Sequence, residues 1–458
     1  MMHSLTLAQL AACVGGKLQA PATKASLGEP ITCVTIDARK VCQGSLFAAL
    51  VGERVDGHDF LEQAQGNQAS AALVEHWQNS DLPQVKVPSV VKALAALAGY
   101  NRQLFTAPLV AVTGNSGKTS VKEMLAAMLA AHFGQVLATE GNLNNELGVP
   151  LTLLRLRPTD LAAVVELGAN HLQEINQLAS IAKPNVGIIT NVTAAHLGEF
   201  GSRQAIAQAK AELLAHLLPE GCVVLNADDF YYDFWRQQAR VKTLSFGFKQ
   251  ADVRASKLRL GVGGTYFEVI TPWGDQHFSL QLVGKHNVAN ALAAIAAAGF
   301  LGVPLAVQAK ALQTLQPVAG RLKPMKAWGG GLLLDDSYNA SPDAVKAAID
   351  LLAALPVAGK KLLALGSLAE LGEASASIHA ELGQYARLRG LDGLFALEGE
   401  ASLAAKAFGE GGEVALTHQA LAERLKLELS ATSCLLVKGS RCSAMDRLVA
   451  LLVKKYPS

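Results

Sequence analysis

The sequence predicts an α/β protein of three domains: a small N-terminal α/β domain, a central doubly wound parallel sheet with a phosphate loop, and a C-terminal Rossmann-like domain. Three observations lead there. Apolar strand-like runs alternate with helical periodicity along most of the chain, the pattern of parallel βαβ units. A chain of 458 residues is too long for one core, and half of its residues are hydrophobic with only 17% charged. Polar residues recur at the carboxyl ends of the strand-like runs, where open α/β sheets hold ligands.

Residues 1–83 are expected to form the first domain. Residues 6–14 read as a helix capped by Thr6. Residues 31–37 alternate like a strand and residues 45–51, from Ser45 on, form a more apolar one. Between them stand Asp37, Ala38, Arg39 and Lys40. After them comes a polar, glycine-marked loop over residues 52–60 that contains Arg54. A helix and the strand at residues 71–74 complete the unit. Its charged loops suit either an anionic ligand or plain solvent.

The second domain is expected over residues 84–313. A helix at 90–105 leads into the buried strand Leu109–Thr113, followed by Gly114-Asn115-Ser116-Gly117-Lys118-Thr119-Ser120. Gly114 and Gly117 let successive N–H groups turn toward one phosphate, and a helix starting at Thr119 adds the positive end of its dipole. Lys118 supplies a charge for β- and γ-phosphates and Thr119 a hydroxyl for Mg²⁺. The full pattern G-x-x-x-x-G-K-[ST] is not met, since Val112 stands where its first glycine belongs.

Further strands are read at 135–139, 161–166, 186–191 and 222–226. Their ends carry Thr139 followed by Asn142, Asn144 and Asn145; Glu166; Asn191 followed by His196; and Asn226 followed by Asp228. Polar ends in register suggest one crevice. A carboxylate at a strand tip, Glu166, can hold Mg²⁺ opposite the loop threonine. In the helix at 202–218, Ile206, Ala209, Leu213 and Leu217 form an apolar stripe, and Lys210 falls on it. Its ammonium either reaches out to water or is paired or modified. Residues 241–284 alternate with glycine turns, like a small antiparallel patch closing the domain. Asn287 and Asn290, three apart on a helix's first turn, suit either an adenine edge or, for Asn287, a helix cap.

The third domain is expected over residues 314–458. Strands at 332–335, 361–365, 393–397 and 434–437 again end in polar groups: Asp336, Tyr338 and Asn339; the run 366–372; and Lys438, Ser440 and Arg441. There is no second phosphate loop, so this layer is expected to supply substrate contacts and to close as a lid. The net charge of +2 without a basic run argues against nucleic acid as the partner. Six scattered cysteines without a C-x-x-C pair suggest neither zinc nor disulfides. No apolar run has the length of a membrane span, and the start lacks a cationic leader, so a cytoplasmic protein without membrane insertion is expected.

Taken together and in order, residues 113–119, 141–145, Glu166-Leu-Gly168, Asn191 with His196, Lys210, His286-Asn-Val-Ala-Asn290 and Gly320-Arg321 resemble the Mur ligase family over the whole chain. The resemblance implies a shortened phosphate loop, which accounts for Val112. It implies ATP held by Thr113, Gly114, Asn115, Ser116, Gly117, Lys118, Thr119 and Ser120, with adenine on Asn287 and Asn290, ribose on Asp336 and the γ-phosphate near Arg321. It implies two Mg²⁺ ions with Thr119, Glu166, His196 and a carbamylated Lys210 as ligands, and Lys118, His196, Lys210 and Arg321 as the catalytic set.

The runs 335–342 and 366–372 are similar to those of family members that join D-alanyl-D-alanine to UDP-N-acetylmuramoyl-tripeptide through an acyl phosphate. Substrate contacts would then fall on Asp37, Arg39, Ser45 and Arg54 in the first domain, on Asn142, Asn144 and Asn145 in the second, and on Tyr338, Asn339, Lys438, Ser440 and Arg441 in the third. A monomer is expected. Ala38, Ser341 and Ser367-Leu368 depart from the family pattern. Another ADP-forming amide ligase of this family, or a nucleotide-binding protein without chemistry, stays open at this point.

Overall fold

The computed structural model describes residues 2–19, 30–193, 200–261 and 264–453. The chain opens on α1 (Leu7–Val14), started by a capping box in which Thr6 and Gln9 satisfy each other's amides. The first sheet holds β1 (Lys17–Gln19), β2 (Cys33–Thr35), β3 (Ser45–Ala48), β4 (Ala71–Val74) and β5 (Gln84–Lys86), with α2 (Leu61–Gly66) between β3 and β4. Its order is β1-β5-β4-β3-β2, with only the β1–β5 pair antiparallel. This sheet therefore runs past residue 83. Gln84-Val-Lys86 is short and two of its three residues are polar, so nothing local marks it as a strand.

The central domain begins with α3 (Val90–Leu104), then β6 (Leu109–Thr113), α4 (Lys118–Phe133), β7 (Val136–Ala138), α5 (Gly148–Leu153), β8 (Ala162–Glu166), α6 (Glu174–Ala182) and β9 (Val186–Ile189). It continues through α7 (Arg203–Ala211), β10 (Cys222–Asn226), α8 (Tyr232–Gln238) and β11 (Lys242–Gly247) to β12 (Val253–Gly261), β13 (Gly264–Thr271), β14 (Gly274–Leu280), α9 (Lys285–Phe300) and α10 (Leu305–Thr314). The nine strands are ordered β14-β13-β12-β11-β10-β9-β6-β8-β7. From β6 the chain crosses first to β7 and β8 on one side and later to β9 and β10 on the other. The crevice beyond the ends of β6, β8 and β9 is therefore the topological switch point, where doubly wound sheets bind ligands.

The expected antiparallel patch is present over β12, β13 and β14, but it continues the central sheet and does not include β11. β11 pairs in parallel with β10, β12 in parallel with β11, and only β12, β13 and β14 are antiparallel. The alternation in Lys-Thr-Leu-Ser-Phe-Gly does not record that its pairing is parallel. Here Leu244 and Phe246 are buried in one core with Leu292 and Ile295 of α9.

The third sheet combines β15 (Lys323–Lys326), β16 (Leu332–Asp336), β17 (Lys361–Leu365), β18 (Gly393–Leu397), β19 (Gly412–Ala415) and β20 (Cys434–Lys438) in the order β15-β16-β20-β17-β18-β19. Helices α11 (Pro342–Ala354), α12 (Ser375–Leu388), α13 (Ala401–Phe408), α14 (His418–Glu428) and α15 (Asp446–Leu452) connect or flank its strands. Among the described residues no helix is long and apolar enough to cross a membrane.

The first two sheets are not insulated from each other. One core runs from Leu10 and Leu46 through Leu94 and Leu97 of α3 to Leu109, Val165 and Ile189. Within it Arg102 is buried, and its guanidinium donates to Phe105 O at 2.7 Å, Ala182 O at 2.7 Å and Lys183 O at 2.8 Å. It thereby caps the carboxyl ends of α3 and α6, where a cation is favoured. Burial lowers its pKa to about 10, so it stays charged at neutral pH. Arg102→Met should strand these carbonyls and cost about 2–4 kcal/mol. The expected readout is a lower urea midpoint for the unit that contains α3 and α6.

Candidate active site at the switch point of the central sheet

The phosphate loop leaves β6 and is braced from the neighbouring strand end. Asn115 N–H donates to Asn191 O at 3.1 Å, Ser116 N–H to Asn191 Oδ1 at 3.0 Å, and Thr190 Oγ1 to Ser116 O at 2.7 Å. The loop passes close to both neighbours. A Cβ on Gly114 would lie 2.0 Å from Thr190 Oγ1, and one on Gly117 would lie 2.2 Å from Asn290 Oδ1. Gly117 has φ +83° and is the N-cap of α4, with no side chain to satisfy the first-turn amides. Those amides, of Lys118, Thr119 and Ser120, are left to an anion. Lys118 Nζ folds back on Gly114 O at 2.8 Å and Asn115 O at 3.2 Å. Burial, reinforced by Arg321, holds its pKa below the usual lysine value, against the opposing pull of Glu166.

Glu166 closes β8 and is buried. Its Oε2 accepts from Thr119 Oγ1 at 2.8 Å and its Oε1 from Asn144 Nδ2 at 2.9 Å. Both donors are neutral, so a buried carboxylate faces the loop threonine held by groups that carry no charge. That donor set fits a divalent cation. Lys210 lies on the buried side of α7, only 2% exposed, so it does not snorkel. Its ammonium sits 5.4 Å from the Phe200 ring centroid. Burial first, and then Lys118, push its pKa down to about 7, while Glu212 and Glu174 oppose this. His196 lies outside the described residues.

The third domain reaches this site through Arg321, whose Nη2 donates to Thr119 Oγ1 at 2.9 Å. Tyr338 lies under the Arg321 guanidinium at 4.5 Å and under that of Arg441 at 5.9 Å. The two domains enclose a cleft of about 790 Å³ whose walls include Lys118, Glu166, Asn290, Arg321, Asp336 and Tyr338. Asn142, Asn144, Asn145, Asn287, Asn339 and Lys438 also face it. Asn287 does not cap its helix, which starts at Gly284; its Nδ2 donates back to Val283 O at 3.0 Å. Asp336 accepts from Lys438 Nζ at 2.5 Å, and Lys438 also donates to Asn339 O at 3.1 Å. Burial raises the Asp336 pKa, against Lys438, which lowers it.

Several expected substrate residues are engaged within the protein. Ser440 Oγ donates to Ser367 O at 2.5 Å, and Asn145 Oδ1 caps Gly148 N–H at 2.9 Å. In the first domain, away from the cleft, Asp37 caps the turn Ala38–Lys40 and receives Arg39 at 2.9 Å through both carboxylate oxygens. Ser45 is buried with its hydroxyl accepting from Cys42 N–H at 3.0 Å, while Arg54 is exposed. His58 binds Asp56 through Nδ1 at 2.6 Å and accepts Glu75 N–H on Nε2 at 3.0 Å, so it fixes the loop after β3. Sequence reasoning missed the brace from Thr190. The only available signal was its place one residue before Asn191.

Three family profiles match in chain order: the Mur ligase family catalytic domain over residues 30–107, the Mur ligase middle domain over 112–298, and the Mur ligase glutamate ligase domain over 320–441. This chain belongs to the Mur ligase family. It is 41% identical over 458 residues to the UDP-N-acetylmuramoyl-tripeptide–D-alanyl-D-alanine ligase of Escherichia coli K12, covering 98% of this chain and 99% of that one. Among solved structures it is similar to MurF from Acinetobacter baumannii, at 35% identity, TM-score 0.90 and 98% coverage of each chain. It is also similar to MurF ligase from Thermotoga maritima in complex with ADP, at 31% identity and TM-score 0.82, over 94% of this chain and 98% of that one.

Within a Mur ligase fold, the missing glycine at Val112 has a plain cause: Val112 is a fully buried residue of β6 and not part of the turn. The turn proper has no slack. Gly117→Ala would place a side chain at positive φ and against Asn290, at a cost of about 1–2 kcal/mol before any clash. ADP binding measured by calorimetry should weaken by about tenfold or more.

Proposed function

We propose that this chain is an ATP-dependent ligase that joins D-alanyl-D-alanine to UDP-N-acetylmuramoyl-tripeptide in peptidoglycan precursor synthesis. The observation that carries this is the meeting of the phosphate loop, a buried strand-end carboxylate and Arg321 of the third domain on one hydroxyl, Thr119 Oγ1. The full-length similarity to ligases named for this reaction supports the substrates. One chain holds every residue the reading needs, and the reaction belongs in the cytoplasm.

In the proposed reaction an oxygen of the tripeptide's terminal carboxylate attacks the γ-phosphorus of ATP. ADP leaves and an acyl phosphate forms. The free amine of D-alanyl-D-alanine then attacks the acyl carbon. The tetrahedral intermediate expels phosphate with that same carboxylate oxygen, and the amine loses a proton as the amide forms. No side chain acts as nucleophile, so the protein works by alignment and charge neutralisation. The first-turn amides of α4 and Lys118 would hold the β- and γ-phosphates, and Arg321 would bring a second cation to the γ-phosphate when the third domain is closed. Asp336, with Lys438, would face the ribose, and Asn287 and Asn290 the base. The first domain would hold the UDP end near Asp37, Arg39, Ser45 and Arg54. The third would present the dipeptide near Tyr338, Asn339, Ser440 and Arg441.

Thr119 and Glu166 would hold one Mg²⁺, and His196 with a carbamylated Lys210 a second. Bound there, these ions would offset negative charge on the phosphates and the acceptor carboxylate. The depressed pKa of Lys210 favours carbamylation: its neutral amine adds to CO₂ and releases a proton. Above about pH 7 the amine is free and the carbamate forms; as pH falls through about 7 the amine protonates and the carbamate is lost.

Two outcomes are expected. Phosphate release from ATP in the presence of the UDP-tripeptide should be strongly stimulated by D-alanyl-D-alanine, and no stimulation would sink the assignment. A carbamate signal from ¹³CO₂ in the carbon NMR spectrum should be present at pH 8, fade below pH 7, and be missing in Lys210→Arg.

A further inference from the structure

We propose that Asn144 is a positioning residue for the Glu166 carboxylate: its side-chain amide holds one oxygen and so fixes the rotation that turns the other toward Thr119. The proposal rests on the reading above, in which a divalent cation sits at Thr119 and Glu166. The sequence placed Asn144 among substrate contacts, but its amide points at the carboxylate. Asn144 Nδ2 donates to Oε1 at 2.9 Å, and Thr119 Oγ1 takes Oε2 at 2.8 Å. An amide nitrogen only donates, so it holds the ionised carboxylate and opposes its rotation. The Glu166 main chain is fixed as well, through its N–H on Thr139 Oγ1 at 2.9 Å.

Asn144 is itself held against the strand end. Gly168 N–H donates to Asn144 O at 2.8 Å, and Asn144 N–H to Asn142 O at 2.7 Å. Two glycines allow the approach. A Cβ on Gly168 would lie 3.0 Å from Asn144 Cγ, and one on Gly148 would lie 2.4 Å from the Leu143 main chain. The Glu166-Leu-Gly168 sequence thus pairs a carboxylate with the bare position that lets its orienting amide reach it. Partners that orient a metal ligand are worth about 10–100-fold in metal affinity. A residue that touched only substrate would leave the cation's affinity alone.

The test measures ADP binding by calorimetry in EDTA and across a Mg²⁺ titration, with Mn²⁺ binding to the ADP complex read by electron paramagnetic resonance. In Asn144→Ala, Mg²⁺-free ADP affinity should be unchanged, while half-saturation by Mg²⁺ and the Mn²⁺ dissociation constant rise by about 10–100-fold. Gly168→Ala, which pushes the amide aside without removing it, should move both in the same direction, and carries the test if Asn144→Ala does not fold. Tightening of ADP by Mg²⁺ in the wild type but an unshifted half-saturation in both variants would overturn the role of Asn144 alone. Equal weakening with and without Mg²⁺ would also overturn it. A wild type whose ADP affinity ignores Mg²⁺ would remove the cation site, and the proposal with it.

Discussion

The structure turns on one hydroxyl. Thr119 Oγ1 donates to Glu166 and accepts from Arg321, which lies 202 residues further along the chain. Three independent segments therefore converge on it: the first turn of α4, the tip of β8, and the connection into the third sheet. Each arrives there for a backbone reason. Gly117 opens the turn, β8 ends beside β6 in register, and Arg321 follows Gly320, whose N–H is held by Asp335 Oδ2 at 2.9 Å. The hydroxyl links a carboxylate to a guanidinium without letting them neutralise each other directly. Both charges stay available to a ligand that carries phosphates and a cation.

That arrangement is costly without a ligand, because charges are concentrated where water is scarce. Lys118, Lys210 and Asp336 all titrate away from their ordinary values, with burial the largest cause in each case. The cost is contained by local partners: carbonyls of the loop for Lys118, and Lys438 for Asp336. Lys210 has an aromatic ring at 5.4 Å, a weaker compensation, and its pKa falls to about 7. Lys118 and Asp336 line one cleft, and Lys210 lies near enough to Lys118 to feel its charge; perturbed groups set together in this way mark functional sites. Arg102, by contrast, is also buried but is satisfied by carbonyls far from the cleft, which marks it as a structural staple.

Much of this was legible in the sequence because it is written locally. Strands Leu109–Thr113 and Cys222–Asn226 and four of the third sheet, β16, β17, β18 and β20, declared themselves by short apolar runs ending in polar residues, whereas β15 and β19 did not. The sequence set Lys210 on an apolar helical stripe and left open whether its ammonium reached water; the structure buries it. What could not be read depends on pairing across the chain. β11 was grouped with the antiparallel patch, and its parallel pairing with β10 and its cover by α9 came only from the structure. β5 is too short and polar to announce itself. The aims of Asn144, Asn191 and Thr190 follow from which strand ends lie side by side, and no spacing in the sequence records that. The Mur ligase resemblance named Asn144 and Asn191 but not Thr190, and the partners of all three came only from the coordinates.

On the proposed reaction the cleft activates a carboxylate by moving the γ-phosphoryl group of ATP onto it. The most direct measurement uses UDP-N-acetylmuramoyl-tripeptide with ¹⁸O in its terminal carboxylate, together with ATP and D-alanyl-D-alanine. Attack by that carboxylate on the γ-phosphorus requires the released phosphate to carry one ¹⁸O for each amide formed, as read by mass spectrometry. Phosphate without ¹⁸O, at the same rate of amide formation, would contradict the account.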